Sequence, residues 1–487
     1  LQDKISSNIS LIRGLSLVAA VSIVVGNVIG TGIFLKTRVM TCNVGTPWMV
    51  MTVWVAAGLL SLAGALTYAE LSAMMPRAGG EYVFLREAYG APVGFLYGWM
   101  QFFIARAGGL AAMSVSFAIF LNILMGGKLD GDYFKTQVFG QTFHFGNLQV
   151  VSLLVLAIVT LINCAAVIVS GRIAAFLTAI KIALVLGIGV GAFAFASGDW
   201  SHMAMANAGG ACEGVGEAAR VGMTGFGAAM LGALWAYNGW NDLTLVAGEV
   251  RNPQRNLPLA LIGGMLLVAV LYIFANLAYF YVLTPTEIAS ISSASSVATE
   301  VARRFLGALA VSLISLALMA STFGTLHVGV LVGARVPYAM ARDRLFFQNL
   351  AKLSKGTRVP VGALILQALW AGVLAISGSF DTLTDYSIFG LWIFYGLTTA
   401  TVFIFRKRMP DAERPYRTWG YPVVPVLFLL VTGWLLLNTL WATPGRSVTG
   451  LLLIALGLPV YWYWSHHNKS KDEVGRRKDE SVPTQDE

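Results

Sequence analysis

The sequence predicts an all-α, polytopic membrane protein with twelve spanning helices, on three observations. Of its 487 residues, 57% are hydrophobic and only 12% are charged, about half the charge of an ordinary soluble domain. The apolar residues fall in long windows, each close to the roughly 20 residues a helix needs to cross a hydrocarbon core of about 30 Å. The charges fall between those windows. Lys and Arg number 33 against 24 Asp and Glu, a net of +9. Their placement in loops excludes the continuous basic face of a nucleic-acid binder.

The windows lie near 15–40, 47–74, 92–125, 147–169, 172–197 and 226–249, then near 257–283, 306–336, 360–377, 383–405, 421–441 and 447–464, placed by hydropathy and length. The polar start, Leu1 to Arg13, has no small-residue cleavage pattern, so residues 1–14 read as a retained N-terminus and not a removed signal. With that end in the cytoplasm, and with charges a few residues from a window's end counted with the adjoining segment, 23 of the 33 Lys and Arg lie on inner segments and 8 on outer ones, leaving Arg106 and Lys181 inside spans. Such an excess orients the chain as multi-pass in the cell membrane with both termini inside. The segment 466–487, with its mixed charges, reads as a disordered cytoplasmic tail. Outer segments 128–146, 198–225 and 284–305 are long enough for structure of their own, and Glu287 to Phe305 has a helical pattern over the outer mouth.

Two spans carry breaks. Gly26, Asn27, Val28, Ile29, Gly30, Thr31 and Gly32 hold three glycines in seven residues, which makes an unbroken helix costly. The sixth span carries Trp235, Ala236, Tyr237, Asn238, Gly239, Trp240 and Asn241 at a comparable depth. Free backbone groups are too costly in lipid, so paired breaks line a polar cavity or are buried in protein. Breaks five spans apart mark an inverted repeat, 15–197 against 226–405, with a substrate between the halves and two further helices at 406–465. The start of the outer half-helix at Gly30–Gly32 aims N–H groups at an anion. Carbonyls freed on the other side accept an ammonium. That combination suits a zwitterion, of which an α-amino acid is the simplest.

The segments Val25 to Phe34 (VGNVIGTGIF), Tyr68 to Gly90 (YAELSAMMPRAGGEYVFLREAYG) and Trp235 to Pro258 (WAYNGWNDLTLVAGEVRNPQRNLP) resemble the amino acid/polyamine/organocation transporters, and within them the L-type branch and its bacterial relatives. The likeness extends to Gly333–Phe347 and to RKRMPDAERPY at 406–416. It implies the leucine-transporter type of fold, two inverted five-helix repeats plus two helices. It implies that Gly30, Thr31 and Gly32 bind the substrate carboxylate and that carbonyls near Val28, Trp235 and Asn238 hold its amine. Trp235 matches the aromatic gate of the sixth helix, and Asn241 a position that shapes the side-chain pocket, with Asp242 beside it.

Lys181 lies about nine residues into the fifth span, roughly 14 Å deep at 1.5 Å per residue, where an ammonium is expensive and marks function. It matches a lysine that stands where sodium-coupled relatives hold their cation, which implies sodium-independent transport. A proton exchanged at Lys181 is the competing mechanism. Arg106 matches a family arginine and reads as bonded to carbonyls or facing the outer vestibule, away from substrate. His327 reads as a bonded packing residue. Glu70, Glu81, Glu87 and Glu249, with Arg77, Arg86, Arg251 and Arg255 nearby in sequence, form either an inner gate of ion pairs or ordinary surface charge. Where some relatives that accept cationic amino acids carry an acid, this chain has Asn238, which points to uncharged substrates; Asp242 leaves the cationic alternative open.

Three isolated cysteines, Cys42, Cys164 and Cys212, lack the paired spacing of a zinc or redox site. Five scattered histidines offer neither a metal cluster nor a nucleophile with its base, so no cofactor, metal or enzymatic activity is expected. Cys42 and Cys212 both fall on outer segments and could pair, but sequence does not show their separation, and they are left free. The animal relatives bind a heavy subunit through a cysteine between the third and fourth spans, and this chain has none at 126–146. The sequence therefore predicts an alternating-access carrier and exchanger of small neutral L-amino acids. A membrane nutrient sensor would need a signalling domain, and only about 20 polar residues follow the last span.

Overall fold

A computed structural model describes residues 10–138, 141–220, 222–292, 295–377, 380–442 and 444–466. Most of the predicted terminal segments, residues 1–9 and 467–487, lies outside the described residues. In the first half, α1 (Leu17–Val28) and α2 (Gly32–Val44) share the first window, followed by α3 (Pro47–Met74) and the short α4 (Glu81–Tyr89). Then come α5 (Ala91–Leu124), α6 (Asn147–Asn163) and α7 (Val167–Phe195). In the second half, α8 (Gly222–Ala236) gives way to a 3₁₀ segment, Trp240–Glu249, before α9 (Pro253–Val282). The chain continues through α10 (Pro285–Ser290), α11 (Val297–Leu306), α12 (Leu309–Gly333) and α13 (Arg335–Arg342). It closes with α14 (Val361–Ser377), α15 (Phe380–Arg408), α16 (Val423–Ala442) and α17 (Pro444–Ala455).

Among the described residues nine helical runs are long and apolar enough to cross a membrane, and α6 and α14 are shorter apolar helices. Local chemistry sets their ends. Ser16 caps α1 by accepting from the Ala19 N–H, and Thr46 caps α3 ahead of Pro47 at its first turn, where a missing N–H costs nothing. Gly45 ends α2 in the left-handed region at φ 75°, which suits a residue without Cβ. The helices are inverted relative to a soluble protein. Leu59, Phe176, Val190, Val270 and Leu369 face outward while Asn163, Lys181, Asn276, His327 and Arg335 are buried, as a lipid surround requires.

The structure refines three expectations. The outer segment 128–146, expected to be long enough for structure of its own, carries an antiparallel hairpin, β1 (Asp132–Val138) paired with β2 (Gln141–Gly146). Cys42 and Cys212, left free from sequence, form a disulfide with Cα atoms 5.6 Å apart across 170 residues. Their approach depends on α2 packing beside α10, where Cys212 N–H donates to Ala289 O, a neighbourhood no linear spacing encodes. The inner carboxylates also choose distant partners. Glu249 pairs with Arg335 and Glu70 with Arg406, and only exposed Glu87 meets Arg77 and Arg86.

These buried ion pairs lie on the side of the bundle where the N-terminus enters. There Leu15 N–H donates to Glu249 O at 2.9 Å and Arg251 N–H donates to Leu15 O at 2.9 Å. The start of α1 is thus zipped to the chain that leaves the 3₁₀ segment. On the opposite side, α10 and α11 fulfil the helical pattern at 287–305, with a capping box joining Thr284 and Glu287.

Candidate functional site

Both predicted breaks are present, and they face each other. The first is shorter than the sequence suggests, since α1 runs through Gly26 to Val28 and only Ile29, Gly30 and Thr31 leave the helix. Gly30 N–H turns back to Val28 O at 2.8 Å, which deprives Gly26 O of its ordinary i+4 donor. The N–H groups of Thr31, Gly32 and Ile33 open α2 ahead of that helix's own acceptors and point positive dipole outward. In the second break, α8 ends at Ala236, and Gly239 turns the chain at φ 100°.

Two glycines permit the approach of the breaks. A Cβ on Gly32 would lie 2.6 Å from the Ala236 Cβ, and one on Gly239 would lie 2.6 Å from Asn27 Nδ2. Gly239 is doubly required, by its positive φ and by that contact. Tyr272 of α9 then joins the two breaks, its hydroxyl lying 2.9 Å from Val28 O and 3.0 Å from Ala236 O. Thr37 of α2 is anchored to the same helix by donating to Asn276 Oδ1 at 2.6 Å.

Between the breaks lies a cavity of about 160 Å³, space for several waters and hence for a small solute. Val28, Gly30, Thr31, Gly32, Trp235, Asn238 and Asp242 all line it. Asn241 and Lys181 do not. Asn241 lies behind the wall, donating to Glu81 at 2.8 Å, with its Oδ1 3.3 Å from the Tyr395 hydroxyl. Lys181 lies behind the first break. Its ammonium donates to Gly26 O at 2.5 Å, Ile29 O at 2.7 Å and Thr325 Oγ1 at 2.7 Å, so it takes up the carbonyls that unwinding leaves behind. Gly324 makes room for it, because a Cβ there would press on Lys181 Cε at 3.0 Å. Trp235 lines the cavity with its ring under Lys36 Nζ, 4.7 Å from the centroid, a cation–π contact.

Several polar cavity residues escaped the sequence reading. Arg106, read as bonded to carbonyls or facing the outer vestibule without substrate contact, lines the cavity and grips the Asp242 carboxylate, not carbonyls, with both arms, at 2.8 and 2.6 Å. Asn27 also donates to Asp242 Oδ2. Tyr395 donates to Asn238 Oδ1 at 2.7 Å, and Gln101 donates to the Tyr97 hydroxyl at 3.1 Å. Asn27 sat inside the glycine-rich window and was open to notice. The pairing of Arg106 with Asp242, 136 residues apart, left no local signal. His327 stands where packing places it: its Nε2 faces Ser170 O at 3.0 Å and its Nδ1 faces Asn163 Nδ2 at 3.2 Å. A carbonyl only accepts, so Nε2 carries the proton.

Glu81 opens α4, is fully buried and is held by neutral donors. Tyr68 donates to Oε1 at 2.8 Å, while Tyr97 and Asn241 donate to Oε2. The network runs from the cavity wall at Gln101 through Tyr97 and Glu81 to Asn241 and Tyr395. Burial outweighs those three donors and pushes the Glu81 carboxyl up to about 7. The folded chain then keeps this proton between pH 4.5 and 7, where the unfolded chain has lost it, so stability falls as pH rises through that window. At 1.36 kcal/mol per unit the step is at most about 3 kcal/mol. Thermal unfolding in detergent between pH 4.5 and 8 is expected to show this decline for the wild type and a flatter profile for Glu81→Gln. Parallel profiles would contradict it.

The amino acid permease family matches residues 15–463 of this sequence. The chain belongs to the amino acid permease family. This permease is therefore a membrane transporter of amino acids and not an enzyme, a member of the amino acid/polyamine/organocation group in its L-type branch. It is 30% identical to the "Large neutral amino acids transporter small subunit 2" of Mus musculus, over 95% of this chain and 83% of that one. It is 31% identical to the "Serine/threonine exchanger SteT" of Bacillus subtilis (strain 168), over 92% of this chain and 96% of that one. The "b(0,+)-type amino acid transporter 1" of Rattus norvegicus is 29% identical, over 94% and 89%.

Proposed function

We propose that the permease is a sodium-independent, alternating-access exchanger of small neutral L-amino acids. The observation that carries this reading is the pair of facing breaks, with the first N–H groups of α2 on one wall of the cavity and the ends of α1 and α8 on the other. The substrate carboxylate sits at Gly30, Thr31 and Gly32, where helix-terminal N–H groups favour an anion. Gly30 contributes least, because its N–H is engaged with Val28 O. Carbonyls of Val28, Trp235 and Asn238 hold the amine, and Trp235 closes over the bound molecule. The fold is the leucine-transporter type, with residues 15–197 and 226–405 as inverted repeats and both termini in the cytoplasm. In that orientation Glu249–Arg335 and the Leu15–Val250 bridge lie on the cytoplasmic side.

Sodium independence is supported by Lys181, whose ammonium occupies the space beside the first break where a coupling cation would neutralise the same carbonyls. Neutral substrates are supported by two relatives, a large neutral amino acids transporter and a serine/threonine exchanger, and by a cavity wall whose acid is already paired. Cys42 and Cys212 are bonded to each other, which supports a carrier that works without a disulfide-linked heavy subunit. Reconstitution into liposomes tests the reading. Uptake of a labelled neutral amino acid is expected to require unlabelled amino acid inside and to persist when choline replaces sodium. Complete loss in choline, or uptake driven by a pH gradient into liposomes empty of substrate, would overturn it, the latter in favour of proton symport through Lys181.

A further inference from the structure

We infer that Arg106 is the specificity-determining residue of the cavity: by neutralising Asp242 it rejects cationic side chains and admits uncharged ones. The inference rests on the amino acid reading above and extends it to the side-chain end of the site. Among the residues that line the cavity, Arg106 and Asp242 are the charged ones. The charge a substrate meets is therefore the sum of this one pair.

The pair is built with care for position. Arg106 closes a π turn, Gln101–Arg106, inside α5; such turns are rare and are found frequently at functional sites. The turn brings Gln101, Ala105 and Arg106 to the cavity together with Gly109. Gly333 of α12 leaves a slot for the arginine stem, since a Cβ there would come within 2.7 Å of Arg106 Cγ. The guanidinium then meets the carboxylate by both nitrogens, side chains 15% and 4% exposed. A two-pronged, charge-assisted pair of this kind is strong and fixed in orientation.

Removing either member changes the sign that the substrate meets. Without Arg106, the Asp242 carboxylate keeps only Asn27 and becomes an acceptor for an ammonium or guanidinium side chain. Without Asp242, the guanidinium is left to attract an anionic side chain. Removing both restores neutrality. A pair that served only to tie α5 to the second break would lose affinity for every substrate alike and leave the preference unchanged.

Competition against labelled L-leucine on purified wild type, Arg106→Gln, Asp242→Asn and the double variant tests this, with L-lysine, L-glutamate and unlabelled L-leucine as competitors. In Arg106→Gln the lysine-to-leucine ratio of affinities is expected to rise at least tenfold. Asp242→Asn should raise the glutamate-to-leucine ratio instead, and the double variant should return both towards wild type. Should Arg106→Gln fail to fold, the glutamate ratio in Asp242→Asn decides. Unchanged ratios in folded variants, or loss of all binding in all three, would overturn the inference and leave a structural tie. If the wild type itself binds no leucine or other neutral amino acid, it is the proposed function that fails.

Discussion

Replacing Lys181 by methionine is expected to reduce amino acid exchange at least a hundredfold at low substrate while leaving the protein folded. Methionine keeps the buried stem beside Gly324 and removes only the amine. What is lost are the donors to Gly26 O, Ile29 O and Thr325. Gly26 O has no second source, because Gly30 N–H is turned to Val28 O, and Ile29 O keeps only a 3.3 Å contact from Ser321. A buried acceptor left unmade costs about 1–3 kcal/mol, a cost that falls on Gly26 O in full and on Ile29 O in part. Part of that is relieved by rewinding or shifting the break, which moves the N–H groups of α2 away from the cavity. Counterflow in liposomes, with gel-filtration profile as the check on folding, measures it. Exchange within a few-fold of wild type would mean that the break holds its shape without the lysine.

The second large effect concerns Glu249 and Arg335, both fully buried. Arg335 donates by Nε at 2.7 Å and by Nη2 at 2.9 Å to the two carboxylate oxygens, and by Nη1 to Leu331 O. Breaking a buried pair by removing one partner strands the other charge and costs about 3–5 kcal/mol. Arg335→Gln and Glu249→Gln should each lower the melting temperature by several degrees. Joint replacement should cost much less than the sum of the two, because no charge is left alone. The same pair joins the 3₁₀ segment to α13, beside the Leu15–Val250 bridge, so the singles should also open the N-terminal side. A cysteine placed near Leu15 is expected to react faster with a polar maleimide in either single variant. Additive losses with unchanged labelling would mark the pair as packing only.

What the sequence disclosed follows a physical division between local and distant causes. Helix breaks were legible because Gly30-Thr31-Gly32 and Asn238-Gly239 act on their own backbone, and Lys181 because a charge inside an apolar run is conspicuous wherever its partners lie. The role of Arg106 was not legible: its partner Asp242, its slot at Gly333 and its π turn belong to three elements that only folding assembles. Glu81 has arginines nearby in sequence yet meets two tyrosines and an asparagine, since Gly79 and Gly80 turn it inward, with Gly79 N–H donating to Leu245 O. The hairpin at 132–146 did carry a signal. Tyr133, Phe134, Thr136, Val138, Thr142, Phe143 and Phe145 are strand formers around Gly140, a pattern of hairpin type that the reading of 128–146 as an outer loop passed over. The Cys42–Cys212 bond is the reverse case, two residues without any pattern brought together by α2 and α10.

The central claim is that main-chain dipoles at two opened helices receive the two charged ends of one small molecule. Equilibrium binding of L-leucine, N-acetyl-L-leucine and L-leucine amide to the purified permease tests it most directly. Each derivative keeps the side chain and removes one charge, and each is predicted to bind at least a hundredfold more weakly than leucine. If either blocked compound binds as tightly as the parent, the breaks do not hold that end of the substrate, and the account is wrong.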